Sequence, residues 1–233
     1  MAQEPLRLAL LGCGVISRHH IDAIATLGGG RILVTAIIEP NADRRTAAVA
    51  SCATKLSYEP RAFESLAAAA AADPERALFT AVDIMVPSYG KLHEDCGVEA
   101  LRLGYHVHVE KPLSNCLASC ARLIAAAPAG AVLMCAENSQ YWREVVEARR
   151  LIRSGAIGQV LTARAKYWES ADPRLNEWAA DGSYLPGAYV CEAAEGFVFD
   201  GGLHWLRPLR MLLGECTHAV ATAGRTIGAM TGP

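Results

Sequence analysis

The sequence lacks an excess of positive charge, because its 22 Lys and Arg residues are balanced by 24 Asp and Glu residues. A nucleic-acid-binding face needs clustered basic side chains to neutralise phosphates, so we expect no nucleic-acid partner. No apolar run reaches the roughly 18 residues that a membrane-spanning helix requires. The first residues also lack the basic start and the long apolar core of a signal peptide. These absences predict a cytoplasmic protein with no membrane partner.

The eight cysteines form no Cys-x-x-Cys pair, and the chain is too long for a small disulfide-stapled domain. We therefore expect reduced thiols, most of them acting as small buried hydrophobic groups. Cys116 and Cys120 lie one helical turn apart, but no histidine or second cysteine pair stands at zinc-site spacing. No bound metal is predicted.

Short apolar strands alternate with helices in the first part of the chain. Strands are expected over residues 6–11, 31–38, 80–86, 105–109 and 131–136. Helices are expected over residues 15–27, from Asn41 as N-cap to about 51, from Pro60 through the alanine run, over 91–103 and over 114–126. This alternation predicts an α/β fold with a doubly wound parallel sheet covered on both faces. Ligands of such sheets bind beyond the carboxyl ends of the strands.

The pattern changes after Glu137. Helices are expected over 141–153 and 201–213, and strands over 159–168 and 217–223. We therefore predict two domains, residues 1–137 and residues 138–233, the second of the α+β type.

A glycine-rich loop follows the first predicted strand and opens a helix: Gly12-Cys13-Gly14-Val15-Ile16-Ser17. In the G-x-G-x-x-G fingerprint the first glycine makes a tight turn, and the second lets the backbone approach a pyrophosphate. The third position must be small, and Ser17 satisfies that requirement. The free N–H groups at the helix start would bind the diphosphate. The loop predicts a dinucleotide-binding Rossmann domain.

Glu39 ends the second predicted strand, close to the position at which an acidic side chain accepts hydrogen bonds from the adenosine ribose. Its carboxylate would repel a 2′-phosphate, which favours NAD as the cofactor. Arg44 and Arg45 follow closely and would suit adenine or a 2′-phosphate, so NADP stays possible. A solvated strand end is the alternative explanation for Glu39.

Further along, Pro87 follows a strand, His93 lies in the next helix, and the sequence His106-Val107-His108-Val109-Glu110-Lys111-Pro112-Leu113 ends the following strand. With the glycine loop, the acidic end of the second strand and Ser154-Gly155-Ala156-Ile157-Gly158, this order of motifs resembles the Gfo/Idh/MocA oxidoreductases. The resemblance extends from about Leu6 to Glu215.

The resemblance implies a Rossmann domain followed by a domain with a mostly antiparallel sheet. It implies a dehydrogenase or reductase that transfers a hydride between NAD(P) and a CH–OH group of a sugar, polyol or cyclitol. Pro87, His93, Glu110 and Lys111 would then contact the cofactor, together with the glycine loop and Glu39. Lys111 would be the active-site lysine, because an ammonium group can donate to the reacting oxygen and stabilise alkoxide charge.

Asp200 and His204 stand four residues apart, so both project to one face of a helix start. The family places its Asp-x-x-x-His pair here, which makes both residues catalytic candidates. An imidazole can take the hydroxyl proton near neutral pH, while Asp200 would hold a substrate hydroxyl or orient the imidazole. The alternative is a helix-capping aspartate and a packed histidine.

The sequence departs from the family pattern at Arg207, where many members carry an acidic residue, and after Asn138, where a common arginine is missing. Arg207 and Arg210 would add positive charge for an acidic substrate, or would pair with Glu192 or Glu195. Three aromatic residues are possible sugar-stacking surfaces, although core packing explains any one of them as well: Tyr141, Trp168 and Trp178.

Family members continue well beyond residue 233, so we expect a C-terminally shortened member with a truncated antiparallel sheet. An exposed sheet edge and apolar face would favour a homo-oligomer through the second domain. Two alternatives stay open, a non-catalytic dinucleotide-binding or regulatory protein and an NAD-dependent glycoside-cleaving enzyme.

Overall fold

The structure, a computed structural model, describes residues 4–28, 30–87, 91–114, 116–166 and 201–222. The chain divides into two compact units, Met1–Ala136 and Glu137–Pro233. The division lies one residue before the predicted domain boundary. Within the described ranges, every helix is too short or too polar to cross a membrane.

The first unit is built on a six-stranded sheet in the order β3-β2-β1-β4-β5-β6. The strands are β1 (Leu6–Leu11), β2 (Ile32–Ile38), β3 (Arg61–Phe63), β4 (Ala81–Ile84), β5 (His106–Glu110) and β6 (Leu133–Ala136). Every neighbouring pair is parallel. This order reverses direction at β1, as in doubly wound dinucleotide-binding sheets. The predicted parallel sheet is confirmed.

Helices connect these strands: α1 (Val15–Leu27), α2 (Ala42–Leu56), α3 (Leu66–Ala71), α4 (Leu92–Arg102) and α5 (Leu117–Ala125). The predicted cap of α2 is present, since the Asn41 side chain accepts a hydrogen bond from the backbone N–H of Arg44 at 2.9 Å. Such a cap stabilises a helix by about 1 kcal/mol.

Both faces of the sheet at β1 are apolar and covered. Ala9 and Leu11 of β1 pack in a cluster that includes residues of α3, α4 and α5. Leu8 and Leu10, which point to the opposite face, pack in a second cluster with residues of α1 and α2. Burial on both faces explains why residues Leu8 to Leu11 of β1 are apolar without alternation.

The predicted helix from Pro60 is wrong at its start. Residues Arg61–Phe63 form β3 and pair with Ala36, Ile37 and Ile38 of β2. The helix begins only at Leu66, where the Ser65 side chain accepts the N–H of Ala68. The exposed edge of β2 supplies hydrogen-bond partners that the local sequence cannot reveal.

The second unit contains a 3-10 turn (Ser139–Tyr141), α6 (Arg143–Arg153) and α7 (Leu203–Leu213). The strands predicted over 159–168 and 217–223 are not formed in the described residues 159–166 and 217–222. Extended backbone becomes a strand only when a neighbouring segment supplies ladder hydrogen bonds. The antiparallel sheet therefore stays a prediction.

A buried carboxylate joins α4 to α5. Glu94 is 5% exposed and accepts hydrogen bonds from Ser119 Oγ at 2.5 Å and from Arg122 Nε at 2.6 Å. The Arg122 guanidinium and the Ser119 hydroxyl lower the pKa of Glu94 to about 2. Ionised Glu94 thus stabilises the packing of the two helices.

We expect Arg122→Gln to lower the melting temperature at pH 7, because the buried Glu94 carboxylate loses the guanidinium that donates two hydrogen bonds to it and keeps only the more distant Lys91. The folded-state pKa lies below the ordinary value of 4.5. The stabilisation is therefore present above pH 4.5 and disappears as the pH falls towards 2. Thermal unfolding followed by circular dichroism at pH 7 and near pH 2 checks this, with a smaller difference between Arg122→Gln and wild type expected at the lower pH and exposed Arg102→Gln as control. Equal melting temperatures for Arg122→Gln and wild type at pH 7 would contradict it.

Candidate functional site

The first glycine of the loop lies against the end of β4. Gly12 has φ +90°, and a Cβ there would lie 2.8 Å from Val86 N and 2.9 Å from the carbonyl carbon of Met85. Its N–H donates to the carbonyl of Ile38 at 2.9 Å. Only glycine combines this left-handed backbone with this close approach.

The second glycine faces open space. Gly14 is the N-cap residue of α1 with φ −74°, and no side chain caps the helix. A Cβ at Gly14 would have no heavy atom within 4 Å. The first N–H groups of α1, in the turn that Val15 and Ile16 begin, therefore adjoin a cradle of the kind that binds a phosphate.

Ser17 fills the third position of the fingerprint. It is 3% exposed, and its hydroxyl donates to the carbonyl of Gly14 at 2.6 Å. The hydrogen bond satisfies the buried hydroxyl, so serine replaces the usual glycine or alanine without an unpaired polar atom.

Glu39 holds the glycine loop. Its buried carboxylate accepts hydrogen bonds from the backbone N–H of Cys13 at 2.8 Å and of Asn41 at 3.0 Å. Burial and the nearby Glu39 charge raise the pKa of the Cys13 thiol to about 12, so this thiol stays protonated. Sequence reasoning missed this contact with the loop, and ribose binding by Glu39 stays a prediction.

Arg45 forms hydrogen bonds at the end of β2, next to Glu39. Its guanidinium donates to the backbone carbonyls of Glu39 and Pro40 and lies 3.6 Å from the Glu64 carboxylate. Arg44 is exposed. Of the two candidate arginines, Arg45 therefore already supports the backbone around Glu39.

The ends of β4 and β5 are joined through a buried histidine. His93 is 2% exposed, with Nδ1 2.8 Å from the carbonyl oxygen of Pro112 and Nε2 2.9 Å from that of Val86. Pro87 is exposed directly after β4. His93 thus positions the backbone around the predicted cofactor residues, while direct contact between His93 and a cofactor stays a prediction.

Lys111 follows β5 and is half-buried. Its backbone N–H donates to Glu110 Oε2 at 3.0 Å, and the peptide bond to Pro112 is cis. Glu110 therefore contacts the backbone of the residue that sequence analysis assigns to catalysis.

In the second unit, His204 pairs with an acidic residue that sequence analysis did not assign to the site. His204 Nδ1, at the start of α7, lies 2.8 Å from Glu137 Oε1. The two side chains are 24% and 11% exposed. The signal available in the sequence was the position of Glu137, directly after a strand, where ligand-contacting residues of such folds occur.

Glu137 fixes the tautomer of the imidazole. Burial raises the pKa of Glu137, but hydrogen bonds from the Ser139 backbone and from His204 outweigh it, so this pKa lies below its ordinary value. An ionised carboxylate only accepts hydrogen bonds, so Nδ1 carries the hydrogen, and in the neutral form of the ring Nε2 is the nitrogen with the lone pair. Glu137 Oε2 is buried and has no hydrogen-bond partner among the described residues.

Asp200 lies outside the described residues, as do Trp168, Trp178, Glu192 and Glu195. Arg207 donates to Gln140 Oε1 at 2.9 and 2.6 Å, and Arg210 pairs with Glu215 at the surface. Tyr141 is 63% exposed. The Trp142 ring stacks on His204 at 6.3 Å between ring centroids, which restricts the imidazole further.

The described residues of the first unit fit a dinucleotide. The cradle at Gly14 leaves room for a diphosphate, and the helix start supplies donors for its charge. A doubly wound parallel sheet with this loop after β1 defines a dinucleotide-binding Rossmann domain.

Comparison with known protein families also indicates a dinucleotide-binding Rossmann domain. Residues 6–137 match the model described as oxidoreductase family, NAD-binding Rossmann fold, and residues 145–231 match the GFO/IDH/MocA C-terminal domain. The chain belongs to the Gfo/Idh/MocA oxidoreductase family, and its first unit is the family's NAD-binding domain.

Two of the similar proteins are dehydrogenases. D-apiose dehydrogenase of Paraburkholderia graminis is 27% identical over 96% of this chain and 54% of that protein. Inositol 2-dehydrogenase of Burkholderia cenocepacia is 28% identical over 90% of this chain and 55% of that protein. The crystal structure of an oxidoreductase from Thermotoga maritima aligns with a TM-score of 0.65 and 25% identity, over 91% of this chain and 60% of that one. The chain spans about half the length of these two dehydrogenases.

Proposed function

We propose that the protein is an NAD-dependent dehydrogenase or reductase acting on a carbinol of a sugar, polyol or cyclitol. The observation that carries the proposal is the Glu137–His204 pair at 2.8 Å, found in a chain whose first unit is an NAD-binding domain. A binding protein without turnover needs no oriented imidazole. The names of the apiose and inositol dehydrogenases support the substrate class.

Bound NAD would accept or supply the hydride at the reacting carbon. The N–H groups at the start of α1 bind the diphosphate, and Gly14 gives it room. Glu39 keeps the loop in place through Cys13. In this proposal Glu39 also accepts hydrogen bonds from the ribose hydroxyls, which disfavours a 2′-phosphate.

His204 Nε2 takes the proton of the substrate hydroxyl, because Glu137 holds the hydrogen on Nδ1. The Lys111 ammonium stabilises negative charge on the reacting oxygen. Asp200 holds a neighbouring substrate hydroxyl. The protein thus supplies one proton acceptor and one cation, the two groups that oxidation of a neutral alcohol requires.

Titration with NADH tests the cofactor assignment. We expect quenched protein fluorescence and enhanced NADH emission with a Kd on the order of micromolar. The control variant is Gly14→Val, whose side chain fills the diphosphate cradle. Absence of binding by the wild-type protein at millimolar NADH would refute the proposal at its first step.

A screen of polyols and aldoses with NAD tests the reaction. We expect Lys111→Ala to lower kcat about 10²- to 10³-fold with a smaller effect on NADH affinity, because the lysine acts mainly on charge that develops during the reaction. Lys55→Ala, a change of the same kind on α2, controls for the loss of a surface cation. Equal turnover by Lys111→Ala and wild type would remove Lys111 from the mechanism.

A further inference from the structure

A polar cluster lies where α1 crosses β4 and β5. We call it the His20 cluster, and it consists of His20, Asp83, His108 and Glu110. His20 Nδ1 is 2.6 Å from Asp83 Oδ2, and His20 Nε2 is 3.0 Å from Glu110 Oε1. His108 Nδ1 is 2.8 Å from Asp83 Oδ1. Asp83 and His108 are register partners in the sheet, so their side chains share one face.

The geometry determines the protonation of His20. Each ring nitrogen faces a carboxylate oxygen, and an ionised carboxylate only accepts hydrogen bonds. Both nitrogens therefore carry hydrogen, and the ring is an imidazolium ion. Burial opposes this charge, but the hydrogen bonds to Asp83 and Glu110 outweigh it and raise the pKa of His20 to about 10.

The same donor atoms resemble a cation site, since His20, Asp83 and His108 offer ligand atoms within 4.8 Å of one another. Two ligands of one tetrahedral zinc ion stand roughly 3.3 Å apart when each bond is about 2.0 Å. The contact of 2.6 Å between His20 and Asp83 is a hydrogen-bond distance instead. The spacing favours shared protons over a metal ion.

We propose that the imidazolium of His20 is a positioning group that fixes the phosphate-binding helix α1 against the strand that carries Glu110 and Lys111. Glu110 uses one oxygen for His20 and the other for the Lys111 N–H. His20 lies on the helix whose first turn adjoins the diphosphate cradle. One cation therefore connects the predicted phosphate site to the predicted catalytic lysine.

This inference rests on the proposed function, but its first test needs no cofactor. In ¹⁵N NMR spectra of the histidine side chains at pH 8, we expect His20 to show two protonated ring nitrogens. His20→Gln should shift the Lys111 amide resonance, whereas His19→Gln should leave it in place. A neutral His20 ring at pH 8, or an unmoved Lys111 amide, would overturn the proposal even if NADH binds.

The second test uses the pH dependence of NADH affinity. The charged and titratable groups that face His20 from the described strands are Asp83, His108 and Glu110. Asp83→Asn removes one carboxylate, so the pKa of His20 should fall into the measurable range. NADH affinity of this variant should then weaken about tenfold between pH 6 and pH 9 and follow the His20 resonance, while that of the wild type stays flat. An equally flat profile in the variant, with His20 titrating, would refute positioning by charge.

Zinc titration tests whether the His20 cluster binds a metal ion. We expect no stoichiometric Zn²⁺ binding that depends on His108, because protons occupy the cluster. Tight binding of one Zn²⁺ that is lost in His108→Ala, measured by calorimetry on the full chain, would overturn the proposal. It would show that the His20 cluster is a metal site and that no imidazolium ion is present there. Variants are compared only after circular dichroism shows the wild-type helix content, and Asp83→Asn serves if His20→Gln does not fold.

Discussion

Glu137→Gln is expected to lower kcat about 10²- to 10⁴-fold with a smaller effect on KM. The amide can donate a hydrogen bond to His204 Nδ1, so it permits the tautomer in which Nε2 carries hydrogen and cannot accept a proton. The contact of 2.8 Å that fixes the native tautomer is between Glu137 Oε1 and His204 Nδ1. The loss therefore falls on the proton-transfer step.

Steady-state kinetics with the substrate found in the polyol screen measure this effect. Glu147→Gln, the same chemical change at an exposed position of α6, should leave kcat unchanged. A fall in kcat of less than about threefold would remove Glu137 from the mechanism.

The pH dependence of kcat in the wild-type protein tests the ionisation state assigned to Glu137. Because the pKa of Glu137 lies below its ordinary value of 4.5, the carboxylate is ionised at pH 5 and above. Any loss of activity on acidification from pH 8 to about 5 is therefore expected to come from other groups. In the kcat profile of Glu137→Gln, the expected outcome is an acidic limb that persists at a lower kcat, displaced because His204 has lost its carboxylate partner.

Gly12→Ala is expected to destabilise the protein by about 3 to 5 kcal/mol, a large part of the 5 to 15 kcal/mol that stabilises a typical domain. The added Cβ would lie 2.8 Å from Val86 N, and the residue would have to keep φ +90°. Both costs arise from backbone atoms that cannot move without displacing the end of β4. Urea unfolding of the chain without cofactor measures the loss.

Gly14→Ala is the matched control, because φ there is −74° and a Cβ meets nothing within 4 Å. We expect nearly wild-type stability for this variant but weaker NADH binding, since the methyl group enters the diphosphate cradle. The two substitutions should therefore have different effects. Gly12→Ala should lower the stability of the fold, whereas Gly14→Ala should weaken cofactor binding. Similar unfolding midpoints for Gly12→Ala and wild type would contradict this division.

Several elements followed directly from local sequence. The glycine loop after an apolar strand, the cap at Asn41 and the alternation of strands and helices gave the parallel sheet, because each depends on backbone preferences and periodicity within a few residues. The position of the site at strand ends followed from the same alternation. The family motifs then identified Lys111 and His204 as candidates.

The predicted elements that the structure does not show depend on contacts between distant segments of the chain. β3 forms where the helix from Pro60 was expected to start, since the edge of β2 supplies hydrogen-bond partners for β3. The strands expected over 159–168 and 217–223 are not formed in the described residues 159–166 and 217–222, because periodicity alone does not provide a neighbouring strand. In each case the sequence pattern is compatible with two structures, and hydrogen bonding to a distant segment selects one.

By itself, the sequence determined the parallel α/β sheet, the dinucleotide-binding loop and the family of this protein. Tertiary structure alone decided which polar groups meet: Glu39 with the Cys13 backbone, His20 with Asp83 and Glu110, and Glu137 with His204. These partners are separated by 26, 63, 90 and 67 positions in the chain. Local preferences act over a few residues, whereas these contacts depend on the strand order and on the packing of the helices against the sheet, which bring distant residues together.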